Sequence, residues 1–369
     1  DPAVREAMLP FLTEIWGNPS SVHRIGREAR AALDDARERT SARLVAKPSE
    51  IIFTSGGTES NCLAIFGTAR LLMSKGRHLI TSAVEHQAVL QSFRFLSENE
   101  GFEVSILPVD REGRVNPADL KAALRPDTIF VSVQAANNEI GTIQPVAELG
   151  KICRERGIIF HTDAAQWFGK MPFAGIGQFN ADLVTICAHK LHGPKGAGIL
   201  YIRSPLHPLP ILLGGDHENE RRAGTENLPA IMGLVSALDH FVSPPVFNPE
   251  FLSSLSNCLR SSLSRHNGVT VLSPVRDSLP NTVSFLVNGA ETMGLMANFD
   301  LEGFCVSSGS ACSAGSLKPS HVVSALGVSD AANNPLVRVS FGRENSLLEL
   351  ESLSLKLPLI LERSRSLNS

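Results

Sequence analysis

The feature that most constrains the fold is a regular alternation of short β-rich runs with helix-like segments. Runs rich in β-branched and apolar residues occupy 51–54, 78–81, 104–107, 129–133, 158–161, 183–186 and 198–202. Helical periodicity falls between many of them, at 57–73, 85–97, 116–124 and 145–156. Because strands that alternate with helices pair mostly in parallel, the pattern predicts an α/β fold with a mostly parallel sheet covered by helices on both faces.

A proline-rich break at Ser243-Pro244-Pro245 predicts a domain boundary. After it the order of helical and strand patterns changes, which is typical of a smaller α+β domain. We therefore expect a large domain over residues 1–243 and a small domain over residues 250–369. Residues 1–20 are expected to pack with the small domain.

Composition excludes several classes of function. The 369 residues are 43% apolar, which is enough for two cores. The net charge of −3 is spread along the chain, so neither a nucleic-acid surface nor a membrane surface is expected, and no apolar run approaches the roughly 18 residues of a membrane span. The six cysteines show neither a C-x-x-C pair nor metal-ligand spacing, which predicts a reducing, cytoplasmic setting and no metal site. The chain begins at Asp1 rather than Met, so we expect an upstream segment, which would include any targeting peptide.

Asp163 and Lys190 together indicate pyridoxal phosphate chemistry. Asp163 follows the apolar run 158–160, and Lys190 lies between His189 and a Gly-rich turn. Such an enzyme needs a lysine that holds the aldehyde as a Schiff base and an acid that keeps the pyridine nitrogen protonated. Ligands of parallel sheets bind beyond the carboxyl ends of the strands, where Asp163 is predicted to lie. Considered alone, Lys190 is more simply interpreted as a surface lysine and Asp163 as a helix cap. Together the two residues predict a pyridoxal phosphate site.

Three further strand ends carry polar residues suited to a cofactor. Gly57 and Thr58 open a helix after a strand, where backbone N–H groups favour a phosphate. His86 lies in the first turn of another helix, where an imidazole could stack on the ring and move protons. Asn137 follows a third strand and could bond the phenolic oxygen or a substrate. The alternatives are an ordinary glycine turn, a capping histidine and an Asn-rich turn.

Two residues near the C-terminus suggest how a substrate is handled. Cys312 lies in the Ser/Gly-rich stretch 307–316, where an accessible thiol is a candidate nucleophile, whereas the other five cysteines fall in apolar patterns typical of buried thiols. Arg338 interrupts the apolar strand 336–341 and is suited to clamp a carboxylate. An incidental loop cysteine and a cross-strand salt bridge are the alternatives.

These stretches resemble the class V aminotransferase-like, fold-type I pyridoxal phosphate enzymes, and among them the cysteine desulfurases of the NifS/IscS type. The similarity covers nearly the whole chain. It includes Asn18-Pro19-Ser20-Ser21, Glu85-His86, His189-Lys190, Arg222–Thr225 and Ser307–Ser313. The pairing of His189-Lys190 with the stretch Ser308–Cys312 is highly specific.

The resemblance implies roles for individual cofactor-site residues. Lys190 would form the Schiff base, and Asp163 would bind the pyridine nitrogen. His86 would stack on the ring. Asn137 and Gln166 would lie near the phenolic oxygen, and Thr58 and His189 would hold the phosphate.

The resemblance also implies partners and a reaction. Thr225 would reach the phosphate of a neighbouring subunit, so a homodimer with a shared active site is implied. Cys312 would carry the sulfur as a persulfide, and Arg338 would clamp the substrate carboxylate.

Three features depart from the family pattern. Cys187 stands where the family places a phosphate-binding serine, and Asp216 replaces the third residue of a Gly-Gly-Gly run. The family's opening strand segment is absent before Asp1, which predicts impaired activity of this chain.

The sequence therefore predicts a pyridoxal phosphate-dependent cysteine desulfurase that converts L-cysteine to L-alanine. Its sulfur would go to an acceptor such as an iron–sulfur scaffold, or to tRNA thiolation. A selenocysteine lyase or class V aminotransferase is one alternative. A catalytically impaired scaffold that binds sulfur-acceptor proteins is another.

Overall fold

The computed structural model describes residues 1–309, 320–328 and 334–366. The chain forms two compact units. The first comprises Asp1–Leu107, Pro117–Ala135 and Pro145–Val246, and the second comprises Pro108–Asn116, Ala136–Gln144 and Phe247–Ser369.

A seven-stranded sheet forms the centre of the first unit. Its strands are β1 (Ile51–Thr54), β2 (His78–Ser82), β3 (Glu103–Leu107), β4 (Thr128–Ser132), β5 (Ile159–Asp163), β6 (Leu183–Cys187) and β7 (Gly198–Ile202). Their order across the sheet is β1-β7-β6-β5-β4-β2-β3. All neighbours pair in parallel except β7, which runs antiparallel to both β1 and β6. The prediction of a mostly parallel α/β sheet is confirmed.

Helices of the first unit flank this sheet. They are α1 (Pro2–Met8), α2 (Pro10–Thr13), α3 (Arg24–Leu44), α4 (Gly57–Leu72), α5 (Gln87–Glu100), α6 (Pro117–Ala123), α7 (Val146–Glu155), α8 (His217–Glu220) and α9 (Leu228–Phe241). Side chains of α4 and α5 share one apolar cluster with β2, β4, β6 and β7. This packing holds the strand ends and the helix starts in fixed positions relative to each other.

The N-terminal residues belong to the first unit. Helix α1 packs on α9. A Cβ at Gly233 of α9 would lie 2.8 Å from the side chain of Met8, so the missing side chain permits this close approach. Val4 is buried in the same contact region.

The second unit is a three-stranded antiparallel sheet with helices. Its strands β8 (Val269–Val271), β9 (Thr282–Val287) and β10 (Leu336–Ser340) are ordered β10-β9-β8. Its helices are α10 (Pro249–Leu263), α11 (Thr292–Leu301), α12 (His321–Ala325) and α13 (Leu347–Ser366). Leucine, valine and phenylalanine side chains from these elements form one core.

The second unit also includes the short segments 108–116 and 136–144, which the sequence expectation had placed in the large domain. Backbone hydrogen bonds explain the difference: Ile143 N–H donates to the carbonyl of Asp277, and Leu279 N–H donates to the carbonyl of Gly141. The Gln144 side chain in turn bonds the backbone of Gly113 and Val115. The local pattern of apolar residues in the sequence does not indicate these long-range hydrogen bonds.

No helix in the described part of the chain is both long and apolar enough to cross a membrane.

Candidate active site

The strand directions gather the predicted first-unit residues at one edge of the sheet. Strands β4, β5 and β6 are mutually parallel, so Asp163 at the end of β5 lies beside Thr185 near the end of β6. Strand β1 runs in the same direction as β6 because both are antiparallel to β7. Thr54 and Cys187 accordingly both face Gly198 in the sheet register.

The start of α4 is built as an anion site. Gly56 has φ of +148°, a backbone conformation that favours glycine, and a Cβ on Gly198 would lie 2.7 Å from the backbone of Gly56. Two glycines therefore allow the chain to turn sharply and enter the helix. A Cβ at Gly57 would lie 3.7 Å from that of Cys187, and Thr58 is exposed in the first turn. No side chain caps the first turn of this helix, and the helix dipole there favours a phosphate.

Cys187 and His189 form a neutral hydrogen-bonded pair at this anion site. Cys187 is buried, and its Sγ lies 3.0 Å from Nδ1 of His189. Burial raises the pKa of the Cys187 thiol. Partial burial, followed by the charges of Lys190, Lys195 and Lys170, lowers the pKa of His189. Both groups are therefore neutral. If the thiol is the donor in this hydrogen bond, the imidazole proton lies on Nε2 and can donate to an anion.

Asp163 is a buried carboxylate with two hydrogen bonds and no countercharge among the described residues. It is 8% exposed. Its Oδ2 accepts from Asn61 Nδ2 at 2.7 Å, and its Oδ1 accepts from the Ala165 N–H at 3.0 Å. Over the residues that the structure describes, no lysine, arginine or histidine forms an ion pair with it. A buried anion of this kind is costly unless a cationic group completes the site.

Lys190 is exposed at the end of the turn Ala188–Lys190 that follows β6. Its ammonium makes no ion pair with any described residue. The amine is thus open to a ligand at the same sheet edge as Asp163. Lys195 is also exposed, in the following turn.

His86 and Glu85 follow β2. His86 is half-buried and caps α5, its Nδ1 accepting from the Ala88 N–H at 3.1 Å. Its neutral form therefore carries the proton on Nε2. The neighbouring Glu85 is completely buried, and its carboxyl accepts from Ser82 Oγ and from the Gln134 N–H. Burial raises the pKa of Glu85 to about 8.

Gln166 lies in the turn after β5 and is half-buried, with its Oε1 bonded to Lys170 Nζ at 2.7 Å. Sequence reasoning found Gln166 but missed Lys170, Asn61 and Glu85. The sequence signal that could have pointed to these residues is a polar residue within an apolar stretch next to the end of a strand.

Thr225 is exposed in the segment after α8. The Arg222–Glu59 ion pair, at 2.7 Å, ties this segment to the first turn of α4. Thr225 and Asp216 line one cleft with Arg30 and Arg37, and neither Lys190 nor Asp163 is among the residues that line it.

Arg338 and Asn137 belong to the second unit. Arg338 Nη1 donates to the carbonyl of Asn138 at 2.8 Å, while its Nε is buried with no partner among the described residues. Burial lowers the pKa of Arg338, and the charge of Glu139 opposes that effect. In the described part of the chain no carboxylate forms a salt bridge with Arg338, so the cross-strand alternative is not observed.

Asn137 is buried, and its Oδ1 accepts from the N–H groups of Glu139 and Ile140. This side chain stabilises its own turn, which agrees with the alternative interpretation of the segment as an ordinary Asn-rich turn.

The cysteines differ from the sequence expectation. Cys153 and Cys187 are buried and Cys62 is half-buried, but Cys258 and Cys305 are exposed. The expectation of burial is wrong for these two because one lies on the outer side of α10 and the other in a loop after α11. Cys312 lies outside the described residues.

Comparison with known proteins identifies the family. The aminotransferase class-V family model matches residues 1–353. Cysteine desulfurase IscS of Dictyoglomus turgidum is 46% identical over 366 residues, covering 99% of this chain and 92% of the relative. The chain belongs to the class V aminotransferase family, among its cysteine desulfurases. The resemblance inferred from the motifs is confirmed.

Other relatives of this desulfurase family member agree. A putative cysteine desulfurase IscS 1 of Bacillus subtilis is 42% identical, covering 95% of this chain and 93% of the relative. A solved structure of a NifS-like protein superimposes with a TM-score of 0.90 at 35% identity, covering 98% of this chain and 96% of that chain. A structure of SspA in complex with cysteine has a TM-score of 0.80 at 34% identity, covering 94% of this chain and 96% of that chain.

Pyridoxal phosphate, the cofactor that the family implies, fits the first-unit residues. Within residues 1–309, 320–328 and 334–366 no cationic side chain pairs with the buried Asp163, and a protonated pyridine nitrogen would supply that charge. The start of α4 has no side-chain cap and offers backbone N–H groups for a phosphate, and His189 beside it is a further candidate donor. No cluster of three or more potential metal ligands occurs within residues 1–309, 320–328 and 334–366.

Proposed function

We propose that this desulfurase family member converts L-cysteine to L-alanine with pyridoxal phosphate and passes the sulfur to Cys312. The observation that carries the proposal is the buried Asp163 carboxylate, which no cationic side chain of the described chain pairs with, at the sheet edge that also holds an accessible Lys190 amine. That combination is what this cofactor requires of a protein.

Each first-unit residue has a distinct task. Lys190 holds the cofactor covalently, and Asp163 keeps the ring nitrogen protonated. The phosphate is held by donors from Gly57, Thr58 and His189. When bound, the cofactor supplies an electron sink for bond breaking at the substrate α-carbon.

Three further first-unit residues contribute to the same site. His86 lies against the ring with its Nε2 proton, and Gln166 donates to the phenolic oxygen. Cys187 replaces a hydroxyl donor with a thiol, which shares a hydrogen bond with His189. The burial of that thiol and its bond to His189 indicate that the substitution is accommodated.

The second unit supplies substrate recognition. Arg338 has a buried Nε without a partner in the described chain, which suits it to a bidentate bond with the substrate carboxylate. Asn137 is proposed to assist near the phenolic oxygen and the substrate.

The sulfur step is assigned to Cys312 from the sequence. Its thiolate attacks the substrate sulfur, an S–S bond forms and the C–S bond of cysteine breaks. The electron pair of that bond stays with the carbon fragment, which is protonated to alanine. The persulfide then passes to an acceptor protein for iron–sulfur cluster assembly or tRNA thiolation, and Thr225 reaches the phosphate of a second subunit in a homodimer.

The test is incubation of the cofactor-loaded protein with L-cysteine and a reductant, measuring alanine, sulfide and pyruvate. Equal yields of alanine and sulfide are expected, with both lost in Lys190→Ala. Pyruvate as the main product, or transfer of the amino group, would point to a lyase or aminotransferase. A protein that binds no cofactor would support the scaffold alternative. The same assay with selenocysteine measures the preference between the two substrates.

A further inference from the structure

Lys170 lies buried in the turn that follows β5. The turn begins at Asp163 and is closed by hydrogen bonds from Trp167 N–H to the carbonyl of Ala164 and from Lys170 N–H to the carbonyl of Trp167. Gly169 has φ of +77°, and this left-handed residue reverses the chain. Lys170 is only 4% exposed, and its side chain returns over Gln166.

The ammonium of Lys170 holds Gln166 at two points. Nζ lies 2.7 Å from Oε1 and 3.3 Å from the backbone carbonyl oxygen of the same residue. An ammonium only donates hydrogen bonds, so the amide atom that faces it must be the oxygen. The Gln166 NH₂ group is therefore directed away from Lys170 as a donor. A rotated amide would present an oxygen where the proposed function needs an N–H group.

Lys170 also influences a second residue of the site. Its charge contributes to lowering the pKa of His189, so it lies close enough to add positive potential there. Burying an ammonium costs free energy that an apolar side chain of similar length would avoid. Filling space in the turn would not require a charge.

We propose that Lys170 is a positioning residue for cofactor binding, which fixes the amide of Gln166 so that its NH₂ group donates to the phenolic oxygen of pyridoxal phosphate. This inference rests on the proposed function, since it concerns the same cofactor. It adds a residue that does not touch the cofactor but acts through Gln166.

A double-mutant cycle tests this coupling without measuring turnover. The dissociation constant of pyridoxal phosphate is obtained by absorbance titration of cofactor-free protein for the wild type, Lys170→Met, Gln166→Ala and the double variant. Lys170→Met is expected to weaken binding about 10-fold in the wild type but no more than about 2-fold when Gln166 is already absent. Both single variants should shift the visible band of the bound cofactor in the same direction. Lys151→Met, at an exposed lysine on α7 of the same unit, is the control and should change neither quantity.

The possible outcomes are distinct. Equal weakening by Lys170→Met in both backgrounds, or no weakening in either, would overturn the inference. If Lys170→Met does not fold without cofactor, as judged by thermal unfolding, Lys170→Gln takes its place in the same cycle. Failure of the wild type to bind pyridoxal phosphate would instead overturn the proposed function.

Discussion

Asn61 Nδ2 donates a 2.7 Å hydrogen bond to Oδ2 of Asp163, which joins the second turn of α4 to the end of β5. Helix α4 thus both begins at the anion site and orients the carboxylate proposed to bind the ring nitrogen. In the proposed site, one helix would therefore contribute to both the phosphate end and the ring-nitrogen end of the cofactor.

Asn61→Ala should destabilise the protein and weaken cofactor binding together. The variant leaves a buried carboxylate with one hydrogen bond fewer, at a cost of about 1.5–3 kcal/mol in the free energy of unfolding. Urea unfolding of cofactor-free protein measures this cost, and absorbance titration measures the binding. A stability unchanged within about 0.5 kcal/mol would show that the hydrogen bond contributes nothing.

Asp163→Asn should fold but lose turnover. A neutral amide keeps the size of the side chain but cannot hold the proton on the ring nitrogen. Alanine formation should fall on the order of 100-fold, as when a preorganised electrostatic contact is removed. Near-full activity of this variant would assign the acid another purpose.

Glu85→Gln should change how stability depends on pH. The folded-state pKa of about 8 lies above the ordinary value of 4.5, so the folded protein retains this proton more strongly than the unfolded chain. The stability contributed by the protonated carboxyl is complete below pH 4.5 and is lost as pH rises through 8.

Between pH 6 and pH 8.5, Glu85→Gln should gain about 2 kcal/mol in unfolding free energy relative to the wild type. Urea unfolding at the two pH values measures the gain. Glu148→Gln, at an exposed carboxyl on α7, should follow the wild type. Parallel pH profiles for all three proteins would contradict a raised pKa at Glu85.

Lys190→Ala should abolish the visible band near 400 nm of the bound cofactor, whereas Lys195→Ala should retain it. Both lysines are exposed and only a short turn separates them, so they are a matched pair. Retention of the band in Lys190→Ala would refute the assignment.

Much of the fold could be predicted from local pattern. The apolar run before Asp163 marked the end of β5, and the alternation of strands with helices predicted the parallel sheet. The reversal of β7 was missed, although residues 188–197 form a connection shorter than the dozen or more residues that a parallel crossover needs.

The site was predicted less completely because burial depends on tertiary packing. Asn61, Glu85 and Lys170 are polar residues whose roles come from partners brought close by the fold. The exposure of Cys258 and Cys305 was missed for the same reason. A local apolar pattern cannot show which side of a helix faces solvent.

The central claim is that Cys312 carries the sulfur. The exposed Cys258 and Cys305 provide matched controls, because accessibility alone would make them equally reactive. Cys312→Ser should bind pyridoxal phosphate and L-cysteine, with a spectral change on cysteine addition, yet form no alanine. Cys258→Ser and Cys305→Ser should form alanine normally.

The most direct measurement is mass spectrometry of peptides from the cofactor-loaded wild type after a short pulse of L-cysteine. The account predicts one additional sulfur atom on the peptide that contains Cys312 and none on those with Cys258 or Cys305. Persulfide on a different cysteine, or normal alanine formation by Cys312→Ser, would contradict it.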